Sequence, residues 1–206
     1  MTVGPLFLAS ASPRRVALLK ATGLDVIRFP VEVDETPPAG PPGEVVVELA
    51  VRKARAAAGL LEEGVILAAD TLVFFEGRIV GKPETTAKAI ETLRALSGRS
   101  HEVWTGVAVV RLEDRGLWTG AERTLVEFKE LPEEAIRAYV ETGEPLDKAG
   151  GYAIQGEAGV FVKHVEGNVS NVVGLPMGLA LRMLAEAGHP VPSRPAPVGE
   201  GGNGEA

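Results

Sequence analysis

The chain has no cysteine, which excludes a disulfide framework and thiolate chemistry and leaves redox compartment unreadable. Side-chain amides are scarce: asparagine stands only at 168, 171 and 203, and glutamine only at 155. Positive charge is in deficit, with a formal net charge of -7, and a generic nucleic-acid or membrane-surface binder needs the opposite field. No apolar run approaches the roughly 20 residues that cross a bilayer, and the N-terminus lacks a charged region followed by a long apolar core. No nucleic-acid partner, no membrane partner and a cytoplasmic address are therefore expected. The histidines, 101, 164 and 189, have no spacing suited to a zinc site. A Gly-x-x-x-x-Gly-Lys-Ser/Thr loop is also missing, which argues against a Walker-type NTPase.

What is present reads as one α/β domain over residues 1–189, followed from Pro190 to the end by a tail rich in Pro, Gly, Ser and Glu that is expected to be disordered. Leu6 to Ala9 is an apolar run of buried-strand type. Ser12-Pro13 then reads as a helix start, with serine at the N-cap and proline at the first helical position. Arg14 and Arg15 fall in the first turn, where the helix already carries positive charge. Either both bend outward to solvent or acidic neighbours, or they converge with the Ser10 and Ser12 hydroxyls on an anion at the helix end.

The helix is expected to reach about Thr22, and Leu24 to Val33 to form a second strand leading to Glu35. A helix from Pro42 or Glu44 to Ala58 puts Val46, Leu49, Ala50, Ala54 and Ala57 on one face, with Lys53 inside that stripe. Such a lysine either snorkels to the helix edge or points into an anion site. Val65 to Ala69 reads as a central strand ending in Asp70-Thr71, and acidic residues at strand ends are site candidates in open α/β sheets; capping a turn is the alternative role for Asp70. A hairpin around Glu76-Gly77 delivers Lys82. A helix to Ser97, two long antiparallel strands, a short helix from Leu131, a hairpin at Glu166 to Asn168 and a last helix from Pro176 complete the reading. Cations at 14, 15, 53 and 82 suit a polyphosphate. Carboxylates at 35 and 70, with 147 a further candidate, suit a divalent metal, since Mg²⁺ is commonly held by one or two carboxylates plus substrate phosphates.

Ser10-Ala11-Ser12-Pro13-Arg14-Arg15 with Leu18-Leu19 resembles the signature of the Maf-like nucleotide pyrophosphatases. Further matching pieces follow in order: Glu35, Lys53, Ala69-Asp70-Thr71, Gly81-Lys82-Pro83, Ser97 to His101, Asp147 to Gly156 and Gly174-Leu175-Pro176. The resemblance implies a long curved mixed β-sheet flanked by helices, of the Maf/ITPase-like kind. It also implies hydrolysis of a nucleoside triphosphate between the α and β phosphorus atoms with Mg²⁺ or Mn²⁺, and a homodimer. On that resemblance Asp70 is catalytic, Glu35 and Asp70 hold the metal, and Ser12, Arg14, Arg15, Lys53, Thr71, Lys82 and Gln155 bind substrate. Arg14, Thr71 and Gln155 resemble the branch acting on dTTP and UTP, rather than the branch acting on 7-methyl-GTP, where a bulky aromatic replaces Arg14. The implied role is house-cleaning of the nucleotide pool. Gly151 and Val169 depart from the alanine and aromatic commoner in the family. Two rival functions are a pyrophosphatase for ITP and XTP, and a nucleotide-binding regulator of septum formation.

Overall fold

The computed structural model describes residues 4–192. In chain order its elements are β1 (Leu6–Leu8), α1 (Pro13–Lys20), β2 (Ile27–Arg28), α2 (Pro42–Ala58), β3 (Val65–Phe75), β4 (Arg78–Val80), α3 (Thr86–Leu96) and β5 (Ser100–Arg111). They continue with β6 (Gly116–Phe128), α4 (Glu133–Glu141), β7 (Val162–Glu166), α5 (Val169–Val173) and α6 (Met177–Glu186), with three 3-10 turns between Glu144 and Phe161. The strands form one mixed sheet in the order β2-β1-β3-β5-β6-β7, with β4 also on β3. This is the α/β architecture expected.

The sheet is organised by β3. One of its edges pairs with β5 from Val65 to Phe74. The other edge is shared: β1 runs parallel to Val65, Ile66 and Leu67, and β4 runs antiparallel to Val73, Phe74 and Phe75. Between these two partners a stretch of β3 edge, centred on Asp70 and Thr71, faces a gap. Along β3 the side chains alternate as strand geometry requires. Val65, Leu67 and Ala69 join the core with Leu179, Met183 and Leu184 of α6, whereas Ile66 and Ala68 join the one with Ala50, Ala54 and Ala57 of α2. Small residues on α2 let it lie close to the sheet. The approach is closest at Gly106, where a Cβ would stand 2.1 Å from the Val46 carbonyl oxygen, so only glycine fits. A third cluster, including Leu93, Leu96, Phe128, Ile136 and Tyr139, packs α3 and α4 against the far end of the sheet.

Four expectations need correction. The second strand shrinks to Ile27–Arg28, because its partner β1 is only three residues long; the Phe29 amide still reaches the Leu8 carbonyl at 2.9 Å, after which Phe29 and Val31 pack against the α2-side core. Asp70 does not end a strand but lies in the middle of β3. No hairpin forms at Glu166 to Asn168: the Asn168 side chain accepts from the Ser170 amide and caps α5, which turns the chain into a helix instead. The first helix also ends at Lys20, two residues before Thr22. Of the tail expected from Pro190, Val191 packs against the α6-side core, and residues 193–206 lie outside the described residues. Among the described residues no helix is long and apolar enough to cross a membrane.

Candidate active site

Alternation along β3 aims Asp70 at α2 and Thr71 at the opposite side, and the gap between β1 and β4 opens the strand edge between them. Lys53, buried in the apolar stripe of α2, donates from Nζ to Asp70 Oδ1 and lies 2.8 Å from Glu35 Oε1. The lysine therefore points inward rather than snorkelling. Asp70 is 7% exposed, so in this pair both charges are largely out of water, whereas the Glu35 side chain stays about half in solvent. The hydrogen bond from Lys53 holds the Glu35 carboxyl below the usual carboxylate range against the opposing effect of burial. The fields of Lys53, Lys82 and Arg15 add to this lowering.

On the other side, Arg15 of α1 is held by three donated bonds: Nε to the Gly174 carbonyl at 2.7 Å, Nη1 to Ser10 Oγ at 3.1 Å and Nη2 to Thr71 Oγ1 at 3.1 Å. A guanidinium has five N–H groups, so two remain for an anion. Burial lowers the Arg15 pKa. The Asp70 charge opposes this, Arg14 adds to the lowering, and Glu35 opposes it more weakly.

Arg15, Glu35, Lys53, Asp70 and Thr71 thus converge at the gap, and exposed Lys82 is near enough for its charge to act on Glu35. Ser12 occupies the N-cap position of α1, but its side chain makes no capping bond; its amide instead donates to Ser10 Oγ at 3.2 Å. Arg14 is half-buried; the hydrogen bond from Lys148 holds the Asp147 carboxyl low, and the Arg14 charge adds a smaller lowering. Gln155 is not brought into this group: it is exposed on a turn closed by the Gly156 amide and the Ala153 carbonyl. Gly151 has φ +69°, a left-handed conformation that an alanine would adopt only under strain, so the departure from the family's alanine suits the backbone here.

Among the described residues no group of three or more His, Cys, Asp or Glu side chains could hold a metal ion alone. Glu35 and Asp70, however, touch the same ammonium. Two carboxylates that close, with remaining ligands left to substrate oxygens, fit Mg²⁺ or Mn²⁺ held partly by a polyphosphate.

Sequence reasoning passed over Thr105, Gly106 and Asn171. The glycine inside the apolar run Val103 to Val110 was the available signal, since glycine in a strand interior commonly marks a close approach of other backbone.

An open mixed sheet with a cluster of cations and paired carboxylates at a gap between strands defines a protein built to hold an anionic ligand. The model of the family described as Maf-like protein matches residues 5–187, and the chain belongs to that family. It is 48% identical over 187 residues to a dTTP/UTP pyrophosphatase of Pelotomaculum thermopropionicum, covering 90% of this chain and 98% of that one. A dTTP/UTP pyrophosphatase of Symbiobacterium thermophilum is 46% identical over 90% of this chain and 95% of its own. One of Bacillus cereus is 47% identical over 88% and 94%. A looser likeness, with a TM-score of 0.44 and 19% identity over 61% of this chain and 72% of that one, is to the structure of the Staphylococcus aureus Ham1 protein.

Proposed function

We propose that the chain hydrolyses dTTP and UTP to the monophosphate and pyrophosphate, clearing the nucleotide pool. The geometric observation that carries this reading is the Lys53 ammonium bridging Asp70 and Glu35 beside a guanidinium with two free N–H groups. Identity of 46–48% over 90% of the chain to relatives named for that activity supports it.

In the proposed reaction a water attacks the α-phosphorus in line with departing pyrophosphate, the α–β anhydride bond breaks, and the water's proton passes to Asp70. Arg15, Lys53 and Lys82 stabilise charge on the equatorial and leaving oxygens, and in a low-dielectric gap each contact is worth more than in water. Ser12 and Arg14 hold the phosphates at the α1 end. A divalent metal held by Glu35 and Asp70 would neutralise phosphate charge as a Lewis acid. Thr71 acts on this side through Arg15. Gln155 stands exposed on its turn, and its assignment to reading the pyrimidine edge rests on the family resemblance and on an amide that offers one acceptor and two donors. A homodimer and a cytoplasmic address complete the proposal; the family resemblance supports the first, and the location of free nucleoside triphosphates the second.

The test is pyrophosphate release with Mg²⁺ or Mn²⁺ from a panel of dTTP, UTP, ITP, XTP and 7-methyl-GTP. Faster turnover of dTTP and UTP than of the purines is expected. Preference for ITP, XTP or 7-methyl-GTP would overturn the substrate class, and binding without turnover would overturn the enzyme reading.

A further inference from the structure

A chain of buried hydroxyl and amide groups runs from Arg15 along one face of the sheet, across β3, β5 and β6, and the proposed chemistry uses none of it beyond Thr71. Thr71 and Thr105 stand directly opposite each other on β3 and β5, and their hydroxyl oxygens are 2.8 Å apart. Thr105 Oγ1 also donates to the Asn171 carbonyl at 3.2 Å. Asn171 is anchored in turn: its side-chain amide donates to the Val103 carbonyl at 3.0 Å and to Thr124 Oγ1 at 2.9 Å. Thr105, Thr124 and Asn171 are all fully buried.

A hydroxyl has one proton. With that of Thr105 given to Asn171, the bond between the threonines must be donated by Thr71. The Thr71 lone pairs are then left to accept from Arg15 Nη2, which lies 3.1 Å away. The competing course is also visible. Thr71 Oγ1 lies 3.4 Å from the Gly174 carbonyl, the same oxygen that Arg15 Nε uses at 2.7 Å. Without an acceptor at 105, the Thr71 proton turns to that carbonyl, which then accepts from both groups, and the Thr71 lone pairs turn away from their present direction.

We propose that Thr105 is a positioning residue: by taking the Thr71 proton it fixes which way Thr71 presents its oxygen, and so holds the Arg15 guanidinium in one orientation beside the gap. This deepens the proposed pyrophosphatase reading and rests on it for its kinetic consequence, although the geometry it asserts can be read without substrate. The orientation matters for rate because a pre-aimed donor stabilises charge in the transition state without reorganising at that moment.

The test compares Thr105→Val, nearly the same shape without the hydroxyl, with Thr105→Ser, which keeps it. The Asn171 carbonyl retains the Gly174 amide at 3.0 Å, so the valine variant leaves no bare acceptor and should fold. For dTTP and UTP, Thr105→Val is expected to lower kcat about ten-fold with KM changed by less than about two-fold, the scale of one hydrogen bond to a charged group felt mainly in the transition state. Thr105→Ser should recover kcat to within about two-fold of wild type. The second readout needs no nucleotide: the Arg15 Nε–Hε NMR resonance should be sharp and slow to exchange with solvent in wild type and Thr105→Ser, and broadened in Thr105→Val. An unchanged Arg15 resonance in Thr105→Val overturns the proposal, as does a serine variant no better than valine. If wild type releases no pyrophosphate from any nucleotide, the pyrophosphatase reading fails, and the resonance still decides whether Thr105 positions Arg15.

Discussion

Replacing Lys53 with methionine separates what the buried pair does for stability from what it does for chemistry. The substitution fills similar volume but leaves the Asp70 carboxylate, 7% exposed, facing Glu35 with no cation between them. Removing one partner of a buried ion pair costs about 3–5 kcal/mol, because the remaining charge stays out of water uncompensated. Both side chains keep about a tenth of their surface in solvent and Arg15 lies nearby, so the low end, about 3 kcal/mol, applies. For a domain of this size that lowers Tm by roughly 6–12 °C. Asp70→Asn should behave differently: it removes the buried negative charge while Lys53 keeps Glu35, so stability should stay within about 1 kcal/mol of wild type while turnover is lost. The double variant should regain most of the stability lost in Lys53→Met and none of the activity, a coupling of about 2 kcal/mol in a double-mutant cycle. Denaturant unfolding followed by circular dichroism measures all four species. If Lys53→Met unfolds within about 1 kcal/mol of wild type, the pair is solvated like a surface contact and the assignment of a dry, charge-concentrating gap is refuted.

Gly106→Ala should destabilise by about 3 kcal/mol or more, since its Cβ would meet backbone that no side-chain rotation can move, and it should reduce activity by shifting α2 and with it Lys53; a melting curve like that of wild type would contradict this contact. His101 is buried, bonded through Nε2 to the Tyr152 hydroxyl at 2.7 Å, and burial lowers its pKa to about 4. With an unfolded value of about 6.5, the unfolded chain takes up a proton that the folded chain refuses between those limits, so stability falls by about 3 kcal/mol as pH drops from 7 to 4 through this residue alone. Unfolding free energies measured from pH 7 to 4.5 should show a shallower slope for His101→Gln than for wild type, and equal slopes would remove His101 as the cause.

Much of the fold was legible in the sequence because local chemistry decides it. The stripe on α2, the apolar runs of β3 and β5, the Glu76-Gly77 turn and the inner face of α6 all follow from periodicity and turn residues, and they stand where the pattern put them. The lysine in an apolar stripe was the sharpest clue to the site, since a buried ammonium needs a partner, and Asp70 and Glu35 provide it.

Composition and motif order by themselves determined that the chain is an acidic α/β protein, and they singled out the cations at 14, 15, 53 and 82 and the carboxylates at 35 and 70. Only the tertiary structure decided that Asp70 lies mid-strand at an opening between β1 and β4, that Thr71 is committed to Arg15, and that Gln155 stands apart on its turn. The physical reason is that strand pairing and cross-strand contacts join residues far apart in the chain. Where β1 stops depends on what it pairs with, and which atom takes the Thr71 proton depends on a hydroxyl 34 residues away.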